Sequence, residues 1–171
     1  MNKYYAKPVI WDSATKKLVS GSNQNTIHFA STFEFEVYRE LVRLVGVRNL
    51  KLQVPLRIKE ATGIYPELWW RCDFRIYRSN NLSDYLNIEA KGLPTREFKR
   101  NMQYLEAYSP IEFDRLLVIA SDAKDCYIDK HVQAWSLPEA IKYLVSDGWS
   151  SAVPVTRPLP PMLTSTLTKK S

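Results

Sequence analysis

Three residues have types and spacing that suit a reaction: Asp73, Glu89 and Lys91. Glu89 and Lys91 are one residue apart in the run Tyr85-Leu86-Asn87-Ile88-Glu89-Ala90-Lys91. Side chains alternate faces along a strand. As a strand, this run sends Leu86, Ile88 and Ala90 to one face and Tyr85, Asn87, Glu89 and Lys91 to the other. A carboxylate and an ammonium then share one surface. The run before it, Leu68 to Tyr77, divides the same way. Leu68, Trp70, Cys72, Phe74 and Ile76 share one face, and Trp69, Arg71, Asp73, Arg75 and Tyr77 the other. Asp73 stands in mid-strand among apolar and aromatic residues, where Asp is disfavoured. A turn around Ser79 to Ser83 folds the two runs into a hairpin. Residue 81 is the midpoint between Asp73 and Glu89, so the two acids are expected roughly opposite one another. Like charges so placed repel, unless a cation lies between them. Mg²⁺ is the natural candidate, a hard ion held by carboxylate oxygens and waters. Lys91 is expected too far along its strand to neutralise both acids alone. Its place is beside a metal-bound water or a phosphate oxygen. Two acids, a divalent ion and a lysine fit metal-assisted phosphodiester hydrolysis. The metal polarises a phosphoryl oxygen and acidifies water, and the lysine orients that water or stabilises charge on the phosphate. Glu-x-Lys alone is as readily a surface ion pair of little energy. Its position at the end of an apolar strand sets it apart.

A third acid, Glu34, belongs to a helix starting near Ser31 and ending at Gly46. It lies on the stripe of Val37, Tyr38, Leu41 and Val45, away from Glu36, Arg39, Glu40 and Arg43. Two reasons for an acid there stay open and are compatible. Ser31-Thr32-Phe33-Glu34 has the form of a capping box, and Glu34 can also face the sheet and complete an acidic pocket.

Holding these residues together takes a particular order of elements. After the first helix come three strand-like runs: Leu52, Val54, Leu56 and Ile58 in alternation, then the two runs above, the last closed by Gly92. A second helix covers about Thr95 to Tyr108. Arg115 to Ala120 is a continuous apolar run, as in a strand buried on both faces. A short strand follows, and Ser136-Leu137-Pro138-Glu139 opens a third helix that Gly148 closes. Three meandering strands, a crossover helix and one more strand predict an α/β fold, a mixed central sheet flanked by helices.

The second helix opens with Thr95-Arg96-Glu97-Phe98-Lys99-Arg100. Phe98, Met102 and Leu105 form its apolar stripe, with Arg96, Lys99, Arg100 and Gln103 outside it. Cations at a helix start oppose the helix dipole, so local stability does not account for them. Either a solvated charged face or phosphates near the strand ends accounts for them, and the helix start itself favours anions. Lys51 and Gln53 occupy the polar face of the first strand of the meander. Lys51, Arg96, Lys99 and Arg100 are the candidate DNA contacts. Trp69, Trp70, Tyr65 and Tyr77 are expected mainly as core or apolar cover, with base stacking as the alternative use.

The set resembles the PD-(D/E)XK nuclease superfamily over about residues 29–120. That signature has an acid on one strand, then an acid, any residue and Lys on the next, after a helix bearing Glu. Asp73, Glu89-Ala90-Lys91 and Glu34 match it. The chain is similar in particular to small phage and bacterial members, among them the nuclease subunit of heteromeric transposases and some junction resolvases. Phe29-Ala30-Ser31-Thr32-Phe33-Glu34, Gln53-Val54-Pro55 and Lys91-Gly92 carry that similarity. One departure is Cys72, which precedes Asp73 where the signature has Pro. The resemblance implies a restriction-endonuclease-like αβββαβ core. It implies Mg²⁺, with Mn²⁺ able to substitute, on Asp73 and Glu89. It makes Lys91 catalytic, assisted by Glu34, with Gln53 in a role that some members give to Gln. It also implies an endonuclease acting on DNA, with branched, phage or mobile-element DNA as candidate substrates.

Composition narrows the alternatives. The chain has 171 residues, 24 Lys and Arg against 18 Asp and Glu, and a formal net charge of +6. That balance permits a polyanionic partner. No apolar stretch is long enough for a membrane span, and the first residues lack the apolar core of a signal peptide. Cys72, Cys126, His28 and His131 are far apart and give no zinc cluster. Cys72 is expected in the core and Cys126 half-buried. A reducing cytoplasm, bacterial or phage-infected, is the expected compartment. Residues 1–149 are expected to form one nuclease-like domain with an N-terminal β-hairpin extension over 1–28. That hairpin pairs Ala6–Trp11 with Lys17–Val19, and a polar loop from Ser20 to Thr26 follows. Four of the ten prolines fall between Pro154 and Pro161. Residues 150–171 therefore read as a Pro/Ser/Thr-rich basic tail, poorly ordered or draped over the surface. Cutting both strands of a duplex calls for two active sites, so a two-fold homodimer is expected. A non-catalytic nucleic-acid-binding module on the same fold and a protein-interaction factor are the competing functions.

Overall fold

The first helix begins where its capping residue dictates. In the computed structural model, which describes residues 7–78, 81–122 and 132–150, Ser31 is extended and its Oγ accepts the Glu34 N–H at 3.0 Å. Helix α1 (Thr32–Val45) follows and buries Val37, Tyr38, Leu41, Leu44 and Val45. Gly46, at φ 77°, stops it, a backbone geometry that glycine adopts without a Cβ penalty.

Eight strands are described. β1 (Val9–Asp12), β2 (Lys17–Val19) and β3 (Thr26–Phe29) make a small antiparallel sheet in the order β2-β1-β3. β4 (Leu50–Lys59), β5 (Leu68–Arg78), β6 (Asn81–Lys91), β7 (Leu116–Ala120) and β8 (Ala134–Trp135) make the central sheet in chain order. β4, β5 and β6 are antiparallel, whereas β6–β7 and β7–β8 are parallel. Helices α2 (Arg96–Tyr108), α3 (Pro110–Asp114) and α4 (Leu137–Ser146), with a 3₁₀ turn at Val47–Asn49 ahead of β4, complete the described elements. The result is a mixed α/β fold with a five-stranded mixed sheet and four helices.

Two apolar clusters cover the sheet. In the first, Val37, Leu41, Leu44 and Val45 of α1 and Ala140 and Leu144 of α4 meet Phe74, Ile76, Ile88, Leu117 and Ile119. In the second, Phe98, Met102 and Leu105 of α2 meet Ile58, Val118 and Ala120. β7 therefore gives alternate residues to opposite cores, as its unbroken apolar run predicts. Burying each Leu, Ile or Phe contributes roughly 1.5–3 kcal/mol. Within β5, Phe74 and Ile76 belong to the first cluster, while Leu68 and Trp70, on the same strand face, pack against the second. The β4–β5 ladder thus turns from one core to the other between Phe74 and Trp70.

Three features differ from the sequence reading. The N-terminal hairpin gains the third strand β3, whose Phe29 is buried against Phe35 and Tyr38. A four-residue strand next to a helix cap leaves too little alternation to be read. The short helix α3 follows α2 directly, with Pro110 in its first turn; five residues carry no helical period. β6 already begins at Asn81, within the expected Ser79–Ser83 turn, and Arg78 pairs with Asn81. All of the expected tail, 150–171, except Ser150 lies outside the described residues, as do Cys126 and His131. No helix among the described residues is long and apolar enough to cross a membrane.

Candidate active site

β5 and β6 run in register through Arg75–Asn87 and Phe74–Ile88. One more step brings Asp73 to Glu89, and there the ladder changes character. The Asp73 N–H donates to Glu89 Oε2 at 3.2 Å, and the Ala90 N–H donates to Asp73 Oδ2 at 2.9 Å. Each carboxylate takes up an amide of the opposite strand. Buried amides must find a partner, so the acids satisfy the backbone where the ladder parts, and the amides hold their charge.

Lys91 Nζ lies 2.5 Å from Glu89 Oε1 and 4.9 Å from the centroid of the Phe98 ring on α2. Of the two acids that Lys91 was expected not to neutralise alone, it pairs with Glu89. A lysine stem is long enough to fold back two residues along its own strand, and a buried anion draws it in. Glu34 is held from two sides. Its Oε2 accepts the Ala30 N–H at 2.7 Å, one residue further back than a standard capping box. Its Oε1 accepts from Gln53 Nε2 at 3.3 Å.

Gln53 joins the cluster through an unusual backbone. Its φ is 51°, in the left-handed region, although Leu52 and Val54 on either side pair regularly with Phe74 and Cys72. Such a conformation costs a non-glycine residue about 1–3 kcal/mol and gathers at functional sites. From there its side-chain amide donates to Glu34 and favours the charged form of Asp73. The fold thus brings Glu34, Gln53, Asp73, Glu89 and Lys91 together from α1, β4, β5 and β6.

Electrostatics follows from this crowding. Burial raises the Glu89 carboxyl, and the nearby Asp73 raises it further, to about 8, against the pull of Lys91. Burial likewise raises Asp73, and burial together with Asp73 raises Glu34. Burial alone would lower Lys91, yet Glu89 and then Asp73 lift it above its ordinary value. The site is an acid pair that holds a proton where an ordinary Glu has lost one. Among the described residues, no group of three or more His, Cys, Asp or Glu is placed to hold a metal ion. Mg²⁺ needs fewer, since it keeps several waters and binds through one or two carboxylates plus substrate phosphates. Two carboxylates raised by burial, Glu89 also by the neighbouring Asp73, fit a cation of that kind.

The remaining candidates sit around this cluster. Arg96 and Arg100 are exposed and Lys99 is half-buried on the first turns of α2. None has an ion-pair partner among the described residues. Lys51 is exposed and lies 5.3 Å from the Tyr77 ring centroid, engaged with an aromatic face rather than with the acids. Cys72 is fully buried as expected, its thiol pushed well above the usual range by burial and donating to the Ile88 carbonyl at 3.1 Å. His28 is exposed and bonded to Ser22 Oγ.

One residue beside the site escaped the sequence reading. Glu112 of α3 accepts from Asn87 Nδ2 at 2.7 Å, from the Tyr85 hydroxyl at 2.7 Å and from Arg75 at 3.2 Å. Arg75 also donates to Asn87 Oδ1 at 2.8 Å. This network ties α3 to the strand steps next to Asp73 and Glu89. Arg75 and Asn87 on one polar face were the available signal, but their acid comes from a helix too short to read. Comparison with protein-family models, with curated proteins and with solved structures finds no match.

Proposed function

We propose that this chain is a Mg²⁺-dependent DNA endonuclease, with Mn²⁺ able to substitute, built on a restriction-endonuclease-like core of the PD-(D/E)XK kind. The observation that carries the reading is the pairing of the half-buried Asp73 with the buried Glu89, drawn from adjacent strands with Lys91 beside them. The element order α1-β4-β5-β6-α2-β7 supports it. Asp73 and Glu89 would hold the divalent ion. When bound, that ion neutralises phosphoryl oxygens and acidifies water. With Glu89 so engaged, the Lys91 ammonium turns to the scissile phosphate or to the attacking water. There it offsets charge that grows in the transition state. Gln53 and Glu34 hold the Asp73 side of the cluster in place. Arg96, Lys99 and Arg100, with the α2 start, receive neighbouring phosphates.

The test is cleavage of supercoiled, linear and four-way-junction DNA with Mg²⁺, Mn²⁺ or EDTA. Cleavage is expected with either metal and none with EDTA. Asp73→Ala and Glu89→Ala are each expected to slow it by at least ~10²-fold. Cleavage that survives both substitutions removes the reading. DNA binding without cleavage under any divalent metal points instead to a non-catalytic binding module.

A further inference from the structure

We infer that the outer face of the β4–β5 hairpin is a platform for an unpaired DNA strand, so that the substrate carries single-stranded bases beside the scissile phosphate. The choice of DNA as ligand rests on the nuclease reading. The rest comes from the hairpin itself. Moving along β5 from Asp73, the next residues on the same strand face are Arg71 and Trp69. Opposite them on β4 stand Pro55 and Arg57. Each such step is about 6.7 Å, two residues of a strand. A guanidinium and an indole therefore follow Asp73 along the strand, on the face that turns away from the α2 core beyond it.

Pro55, Trp69, Trp70 and Arg71 line a concavity of about 510 Å³. Trp69 is 48% exposed, although the β4–β5 ladder has turned its other face into the α2 core. Arg71 is exposed and has no ion-pair partner among the described residues. Arg57, at the rim, pairs with Glu60 at 2.8 Å. Behind this face, on the side turned to α2, the strand leads to the candidate site. Trp70 packs on Phe98, ring centroids 6.3 Å apart, and the same Phe98 ring lies under Lys91.

The chemistry of this face selects its ligand. An exposed indole stacks on any base, and a free guanidinium takes a phosphate, which is how single strands are held without sequence preference. In a duplex the base faces are already stacked on one another and are closed to an indole. A peptide adding a strand to the β4 edge meets Pro55, which has no N–H to pair.

The full chain is titrated by fluorescence anisotropy with a labelled single strand, the matching duplex and a fork with splayed arms, all in EDTA. Single strand and fork are expected to bind more tightly than duplex. Trp69→Ala is expected to weaken both by about 5- to 100-fold, with little effect on duplex, and Trp69→Phe to recover most of the loss. Photocrosslinking of an iodouridine-substituted strand to the unaltered chain is expected to map to the Trp69 peptide, which needs no variant to fold. Equal affinity for duplex and single strand overturns the inference. So does a Trp69→Ala loss shared by all three DNAs, or crosslinks that map elsewhere. A change of mass in solution on Trp69→Ala, with strand affinity unchanged, makes the face a contact between copies and also overturns it. Cleavage is scored separately. No cleavage with Trp69-dependent strand binding intact removes the nuclease reading and keeps the platform. Cleavage without any Trp69 effect removes the platform alone.

Discussion

Glu89 is 1% exposed, and its nearest neighbours include another acid. In the unfolded chain a Glu titrates near about 4.3; in the fold this one titrates near about 8. Between those values the folded chain holds a proton that the unfolded chain has released. Metal-free stability therefore falls as pH rises through this window, by on the order of 5 kcal/mol in full. Below the unfolded value both states are protonated and nothing is lost. Above the folded value the loss is complete. Denaturant unfolding in EDTA at about pH 5 and about pH 8 should register the drop, and Glu89→Gln should flatten it. Mg²⁺ should restore stability mainly at the higher pH, where it meets a carboxylate rather than a carboxylic acid. A flat profile would mean that water reaches Glu89. Gln53 gives a second test. Glycine adopts φ 51° without strain, so Gln53→Gly should raise stability by about 1 kcal/mol. It should also slow cleavage, because Glu34 loses its donor and Asp73 the amide that favours its charge. Thermal melts read the first effect and a cleavage time course the second; an unchanged rate would remove Gln53 from the site. At this scale strand parity alone placed Asp73 opposite Glu89. The reach of Lys91 back to Glu89 and the twisted backbone of Gln53 depend on side-chain length and local strain, which spacing does not encode.

The elements were legible where their period was long. α1, with its stripe and its Ser31 cap, follows from the pattern of residues 31–46, and β7 from an apolar run that leaves no polar face. α4 starts on the Ser136–Glu139 capping box that its sequence announces. β3 and α3 were not legible, because four or five residues hold less than two periods of either kind. That omission hid Glu112, and with it the polar clamp on Arg75, Tyr85 and Asn87. Helix α2 carries the prediction at this scale. Its first turns hold Arg96, Lys99 and Arg100 around the apolar stripe of Phe98 and Met102. If these cations meet phosphates, each one replaced by Ala should weaken binding about equally for all DNA sequences. Each should also reduce by about one the slope of log affinity against log salt. Anisotropy titrations over a range of salt concentrations measure that slope. A slope indifferent to all three would make this face simply a solvated one.

Across the molecule, the acids stand where the sheet passes between its two cores. Phe74 and Ile88 belong to the α1–α4 core, and Asp73 and Glu89 follow them where the β5–β6 ladder parts. Just beyond, Trp70 and Phe98 belong to the α2 core, and Lys91 lies over Phe98. The two cores therefore differ in what they do for the site. Leu144 fills the first core from α4, the helix that reaches the central sheet through β7. Met102 fills the second from the helix that carries the Lys91 contact. Leu144→Ala and Met102→Ala each leave a cavity and should cost roughly 2–5 kcal/mol. At a temperature where both variants remain folded, only Met102→Ala should slow cleavage. A cavity beneath Phe98 lets that ring settle and moves the ammonium relative to the carboxylates, and a misplacement of about 1 Å is enough to cost ~10²-fold. Unfolding curves establish the matched loss of stability, and single-turnover cleavage rates separate the two variants. Equal slowing would mean that stability alone governs the rate. Slowing by Leu144→Ala alone would place the control of geometry in the α1–α4 core.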